Sequence, residues 1–86
     1  MTVITRETAQ MPLFKVLLHN DDHNTMDHVM SSLTRVFRFD TQTCERIMLE
    51  AHRSGVALCA VEPVELAEHH RDQLIALSLL STIEPE

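Results

Sequence analysis

The sequence predicts one small α+β domain, in which three helices pack on a three-stranded antiparallel sheet in the order β-α-α-β-α-β. The length of 86 residues suits a single domain with a single small core. Hydrophobic residues make up 44% and charged residues 23% of the chain, which is ordinary globular composition. Short apolar runs alternate with stretches of helical period, and no repeat or linker divides them.

The chain is expected to begin with a flexible tail at 1–12, ahead of a core domain at 13–86. Residues 1–12 mix polar and apolar residues and lack any hydrophobic period. The apolar run 14–19 then predicts a strand, because alternate residues of a strand share one face. A cluster of six polar residues at 20–25 ends this strand and predicts a loop.

Two helices follow, each indicated by apolar residues at helical spacing. Thr25 or Asn24 is the expected N-cap of the first helix, and Asp40 or Thr41 that of the second. Gly55 is expected to end the second helix in the left-handed conformation. The short connection between the helices predicts a hairpin. The two apolar stripes are Met26, Val29, Met30, Leu33, Val36 and Phe37, and then Cys44, Ile47, Met48 and Ala51.

The last three elements are a strand, a helix and a strand. The continuous apolar run 56–61 predicts a strand that is central or buried on both faces. The third helix is expected to have Pro63 at its first position and Glu65 in its first turn. Its charged segment 68–72 is expected to be solvated. The run 79–83 predicts the last strand, followed by frayed residues at 84–86.

Composition excludes several classes of function. A chain with one glycine contains neither of the glycine-rich motifs that cradle nucleotide phosphates. A net charge of −6 and only three aromatic residues argue against a nucleic-acid partner. No apolar run is long enough to cross a bilayer, and the N-terminus does not resemble a signal peptide. We therefore expect a cytoplasmic protein in which Cys44 and Cys59 are buried, reduced thiols.

The polar cluster Asn20, Asp21 and Asp22 is the strongest candidate for a binding site, with His52 a candidate neighbour. Its simplest interpretation is a solvated turn with an Asx cap. Alternatively, two carboxylates, an amide oxygen and an imidazole can accept the three N–H groups of an ammonium. A group of apolar residues can be core or can line an adjacent pocket, and with the ammonium site that pocket would accept the first residue of a peptide. These residues are Met26, Val29, Met48, Ala51 and Leu79.

The six histidines raise a second possibility, a metal site formed by His19, Asp21, His23 and His28. The spacings that are typical of zinc sites, HExxH and CxxC, do not occur. Catalysis has less support, because no cysteine or serine has an evident base partner. A third possibility is an interaction module that binds a partner through its acidic face.

Several motifs resemble the ClpS family. They are KVLLHNDD at 15–22, Met26 with Val29, IMLEAH at 47–52, Gly55, CAV at 59–61, and LLST at 79–82. The resemblance covers the chain from about residue 13 to its end. It implies an adaptor that is not an enzyme and needs no cofactor. Such an adaptor binds proteins that begin with Leu, Phe, Tyr or Trp and delivers them to a ClpA- or ClpC-type AAA+ unfoldase coupled to the ClpP peptidase. It also implies a monomer without a nucleic-acid or membrane partner.

The resemblance also implies roles for individual residues. The tail 1–12 would engage the unfoldase during delivery, and Met26 would act as a gate against β-branched residues. By analogy, the α-amino group is bound by Asn20, Asp21 and His52, the loop is supported by Asp22, Asn24 and Thr25, the side-chain pocket is lined by Met26, Val29, Met48, Ala51 and Leu79, and the unfoldase is faced by Glu65, His69 and His70.

The chain departs from the usual family pattern at several of these positions. His28 replaces a usual aromatic residue, Ala51 a usual valine and His70 a usual lysine. The loop reads His-Asn-Thr at 23–25 where many members have Tyr-Thr-Pro, and the segment between the third helix and the last strand is shorter. These differences predict a divergent, second-type ClpS with an altered pocket and a narrower range of substrates.

Overall fold

The computed structural model describes residues 11–86, so the tail predicted at 1–12 lies largely outside the described residues. The predicted order of elements and the fold class are confirmed. The elements are β1 (Leu13–His19), α1 (Met26–Phe37), α2 (Thr41–Ser54), β2 (Val56–Pro63), α3 (Val64–Ala76) and β3 (Leu80–Pro85).

The three strands form one antiparallel sheet in the order β2-β1-β3. β1 is therefore the central strand, and the prediction that β2 is central or buried on both faces was wrong. Val56, Leu58 and Val61 are 37%, 42% and 38% exposed, whereas Ala57 and Cys59 between them are buried. The run looked continuous because its outward-facing residues are apolar too.

Each of the first two helices begins after one of its two predicted N-caps, and Gly55 ends the second helix as predicted. Thr25 Oγ1 accepts the backbone N–H of His28 at 3.1 Å, which makes Thr25 the N-cap of α1. Asp40 Oδ1 accepts the backbone N–H of Thr43 at 2.8 Å and caps α2. Gly55 ends α2 with a φ of 88°, a left-handed conformation that glycine adopts without a steric penalty.

Strand pairing shifts two predicted boundaries. Pro63 pairs with Leu13 and has an extended ψ of 152°, so it ends β2 and precedes α3 instead of starting the helix. Glu84 and Pro85 pair with β1 and belong to β3, and the N–H of Glu86 donates to Leu13 O at 3.0 Å. The prediction that residues 84–86 fray was therefore wrong.

The core lies between the inner face of the sheet and the three helices. Cys44 and Cys59 are buried free thiols within it, as predicted. None of the helices formed by residues 11–86 is long and apolar enough to cross a membrane. The buried apolar residues are Val16, Leu18, Leu33, Val36, Cys44, Ile47, Ala51, Ala57, Cys59, Ala67, Leu74 and Leu79.

Candidate functional site

The polar loop after β1 is joined to the C-terminal end of α2. The backbone N–H of Asn20 donates to Gly55 O at 3.0 Å, and the N–H of Gly55 donates to Ala51 O at 2.9 Å. The left-handed turn at Gly55 thus brings the start of the loop beside the last turn of α2. His52 belongs to that last turn. Two segments that are far apart in sequence therefore meet at one place.

Asp21 organises the loop through its carboxylate. Its Oδ1 accepts the backbone N–H groups of His23 and Asn24, at 2.9 and 3.0 Å, and Asn24 Nδ2 at 3.1 Å. Its Oδ2 accepts only Asn24 Nδ2, at 3.0 Å, among the described residues. The Asx-type turn that the sequence predicts is therefore present. It occupies Oδ1 and leaves Oδ2 able to accept another donor.

The same contacts keep Asp21 ionised. Burial raises the pKa of Asp21, but hydrogen bonds from the Asn24 side chain and from the backbone N–H groups of His23 and Asn24 outweigh it. The net effect is a pKa below the usual value of 3.8. The loop therefore presents a negative charge at neutral pH. The C-terminal end of α2 adds the negative end of a helix dipole, so the polar side of the site favours a cation.

A cavity of about 70 Å³ opens beside this loop. Its size is of the order of a single side chain. The lining residues are Leu18, His19, Asn20, Asp21, Asn24, Met26, Val29, Met48, Leu49, Ala51, His52 and Leu79.

Nine of the predicted site residues line this cavity. Ala51 and Leu79 are buried, with 4% and 3% exposure, and Val29 and Met48 are half-buried. Met26 is 59% exposed, so the interpretation of Met26 as a core residue was wrong. It is the first residue of α1 and lies at the rim of the cavity.

Two of the three residues predicted to support the loop do not line the cavity. Asp22 is exposed, and Thr25 caps α1. Sequence reasoning missed Leu18, His19 and Leu49 in the lining. Leu18 and His19 directly precede the polar cluster and Leu49 directly follows Met48, so adjacency was the one available signal.

The structure does not bring the proposed metal ligands together. His19 Nε2 lies 2.7 Å from Thr82 Oγ1, and His28 Nε2 lies 2.6 Å from Leu77 O. Within residues 11–86, no three His, Cys, Asp or Glu side chains are grouped so that they could hold a metal ion. The interpretation of His19, Asp21, His23 and His28 as a metal site therefore has no structural support.

The three residues predicted to face an unfoldase differ in accessibility. Glu65 and His69 are exposed on α3. The His70 side chain is only 16% exposed, because its Nδ1 lies 2.8 Å from Glu62 Oε1 and its ring centroid lies 4.7 Å from that of Phe37. The expectation that the whole segment 68–72 is solvated was wrong at His70. Sequence reasoning missed Glu62 as its partner.

Comparisons with known proteins agree on one family. Residues 9–81 match the family model described as ATP-dependent Clp protease adaptor protein ClpS. The ATP-dependent Clp protease adapter protein ClpS of Gloeobacter violaceus is 44% identical over 77 residues, which cover 88% of this chain and 83% of that protein. The protein of the same name from Desulfatibacillum aliphaticivorans is 39% identical over 92 residues, which cover 100% of this chain and 88% of that protein.

A solved structure is also similar to this chain. It is the structure of Agrobacterium tumefaciens ClpS2 bound to L-phenylalaninamide, with a TM-score of 0.87 and 35% sequence identity. The match covers 90% of this chain and all of that one. The ligand in that structure has a free α-amino group and an aromatic side chain.

Proposed function

The chain belongs to the ClpS family of Clp protease adaptors, and we propose that it binds the free α-amino group and the bulky first side chain of N-degron proteins. Members of this family are substrate adaptors of the Clp protease system and not enzymes. The observation that carries the proposal is the cavity, which is apolar at one end and anionic at the other.

The polar end suits an ammonium group. Asp21 Oδ2 has acceptor capacity beyond its bond from Asn24, and the Asn20 amide and the His52 ring line the same cavity. These groups accept the three N–H donors of an α-ammonium, and each charge-assisted hydrogen bond contributes about 1.5–3 kcal/mol. Asn24 and Thr25 maintain the loop around them through their hydrogen bonds to Asp21 and to the first turn of α1.

The apolar end takes the side chain that follows. Val29, Met48, Ala51 and Leu79 form its wall, and Met26 stands as a gate at the rim. Burial of a leucine or phenylalanine side chain contributes about 1.5–3 kcal/mol. Ordering the peptide offsets part of these contributions. Micromolar affinity, which corresponds to about −8 kcal/mol, permits both selection and release.

Delivery requires a second surface, which we place on α3. Glu65 and His69 are exposed one helical turn apart and would contact a ClpA- or ClpC-type unfoldase that works with the ClpP peptidase. His70, held by Glu62, would support this surface from behind. Glu65→Lys should then abolish delivery to the unfoldase but preserve peptide binding. Glu45→Lys, the same charge reversal at an exposed site on α2, is the control.

Fluorescence anisotropy tests the binding step directly. The peptides differ only at residue one (Leu, Phe, Tyr, Trp, Ile or Asp), and one further Leu peptide is Nα-acetylated. We expect micromolar binding of the peptides that begin with Leu, Phe, Tyr or Trp. We expect no binding of the acetylated peptide, because its nitrogen lacks the charge and two of the three N–H donors of the free α-ammonium. Equal binding of the free and acetylated Leu peptides would refute the proposal.

A further inference from the structure

Two side chains from the loop and α1 reach across to the turn that joins α3 to β3. Asn24 Nδ2 donates to Ser78 O at 2.9 Å. His28 Nε2 lies 2.6 Å from Leu77 O. Because a carbonyl oxygen only accepts, the hydrogen of this bond is on Nε2. The two contacts join segments separated by 54 and 49 residues in the sequence.

The turn that they hold is conformationally costly. Ser78 has a φ of 72°, in the left-handed region that non-glycine residues occupy at a cost of roughly 1–2 kcal/mol. Backbone bonds also support the turn, since Leu77 N–H donates to Leu74 O and Gln73 O at 3.0 and 3.2 Å, Ser78 N–H donates to Ile75 O at 2.9 Å and Leu79 N–H donates to Leu74 O at 3.0 Å. None of these bonds involves the carbonyls of residues 77 and 78, which accept from the two side chains instead.

The turn leads directly into the cavity wall. Leu79 follows Ser78, is 3% exposed and lines the apolar end of the cavity. On the opposite side, Asn24 Nδ2 also donates to both carboxylate oxygens of Asp21, at 3.1 and 3.0 Å. Val29, the neighbour of His28 in α1, lines the cavity as well. The two contacts therefore connect the anionic loop, the α1 wall and the Leu79 wall.

We propose that Asn24 and His28 are positioning residues that set side-chain selectivity, because they fix the Leu77–Ser78 turn and through it the position of Leu79. This inference rests on the peptide-binding function proposed above. His28 contributes through the turn alone. Asn24 contributes through the turn and through Asp21. A substitution of His28 therefore tests the position of the wall without altering ammonium binding, whereas a substitution of Asn24 would alter both.

The test uses His28→Leu, which removes the donor, and His28→Gln, which retains a side-chain N–H. Peptides beginning with Leu, Phe and Trp give the selectivity ratios, and the free and acetylated Leu peptides give the acetylation penalty. Loss of one hydrogen bond should change the ratios by about two- to tenfold. The acetylation penalty should stay constant, and His28→Gln should restore the ratios. Ser31→Ala, which removes a hydrogen bond to His28 O within α1, is the control and should change neither.

A double-mutant cycle tests the route through Leu79. In the Leu79→Ala background, His28→Leu should no longer alter selectivity, because the wall residue that it positions is absent. Unchanged ratios in folded His28→Leu would overturn the inference, and so would a loss of affinity that is the same for every peptide. If His28→Leu does not fold, His28→Asn, which is polar but too short to span the contact, replaces it. Failure of the unsubstituted protein to bind any free-amino peptide would instead refute the proposed function.

Discussion

Enlarging Ala51 should weaken the binding of peptides that begin with Phe more than the binding of peptides that begin with Leu. Ala51 is 4% exposed and lines the cavity, so the two methyl groups added by Ala51→Val have little space outside it. The cavity has a volume of about 70 Å³, and the added methyl groups take up part of it. A leucine side chain has four carbons, whereas a phenylalanine side chain has seven.

The expected penalty follows from overpacking. Forcing extra carbons into a filled apolar site costs about 1–3 kcal/mol, which is about a 5- to 150-fold loss of affinity. We expect this loss for a peptide that begins with Phe and a change below about threefold for one that begins with Leu, since the leucine side chain still fits. Anisotropy titrations of the two peptides against both proteins measure the ratio.

The control is the same substitution at a buried alanine outside the cavity. Ala67 is 0% exposed on α3 and does not line the site, so Ala67→Val should lower the melting temperature without changing the ratio of the two affinities. A ratio that is the same in folded Ala51→Val as in the unsubstituted protein would show that Ala51 does not limit the pocket. Equal weakening for both peptides would show that the apolar wall is not selective.

Four further predictions concern the loop, the core, the helix end and the thiol. Asp21→Asn keeps an acceptor for the turn but removes the charge, so peptide affinity should fall roughly 10- to 150-fold. Because the folded pKa of Asp21 is lowered from 3.8, the stability that its carboxylate contributes is present above that value and is lost as pH falls through the folded pKa. The substitution should therefore make stability depend less on pH at the acid end, as measured by urea unfolding. Ser32 Oγ is buried with no hydrogen-bond partner among the described residues. Ser32→Ala should therefore stabilise the protein by about 1 kcal/mol and raise the melting temperature by about 4–8 °C. Ser31 is exposed, so the control Ser31→Ala should change stability by less than about 0.5 kcal/mol. Gly55→Ala should lower the free energy of unfolding in urea by about 1–2 kcal/mol, because alanine is strained at a φ of 88°. An added Cβ has no neighbour within 4 Å among the described residues, so backbone strain is the one expected cause. An unchanged free energy of unfolding would show that this strain is absent. Burial raises the pKa of Cys59 to about 12, so iodoacetamide at pH 8.5 should leave Cys59 unmodified in the folded protein, as peptide mapping would reveal.

Local chemistry in the sequence was enough to predict the order of the elements and most of their ends. Caps and the left-handed glycine act within a few residues, so Gly55 could be assigned from its neighbours and each N-cap could be narrowed to two adjacent residues, of which the structure has Thr25 and Asp40. Sheet order could not be predicted in the same way. An apolar run is the same whether its outward residues are covered or exposed, and only pairing with β1 places Val56–Pro63 at an edge.

The same distinction applies to the site, where residues in local motifs could be predicted and contacts between packed elements could not. Motif resemblance placed Asn20, Asp21 and His52 together, and the structure brings all three to one cavity. The partners of His28 and His70 could not be predicted, because Leu77 O and Glu62 are reached only after the helices have packed. Backbone carbonyls carry no signature in the sequence. A histidine that bonds to one is therefore indistinguishable, in the sequence, from a free or metal-binding histidine.

The two interpretations of the polar cluster, a solvated Asx turn and an ammonium site, turn out to be compatible. The turn uses Asp21 Oδ1 for three donors, and Asn24 aligns the carboxylate by donating to both oxygens. The second oxygen is thereby held in place with acceptor capacity to spare, so a ligand would find it already oriented and would lose less entropy on binding. A turn built by a neutral side chain would supply the same backbone shape without the charge. The structural role of Asp21 is thus the reason that it is suited to bind an α-ammonium group.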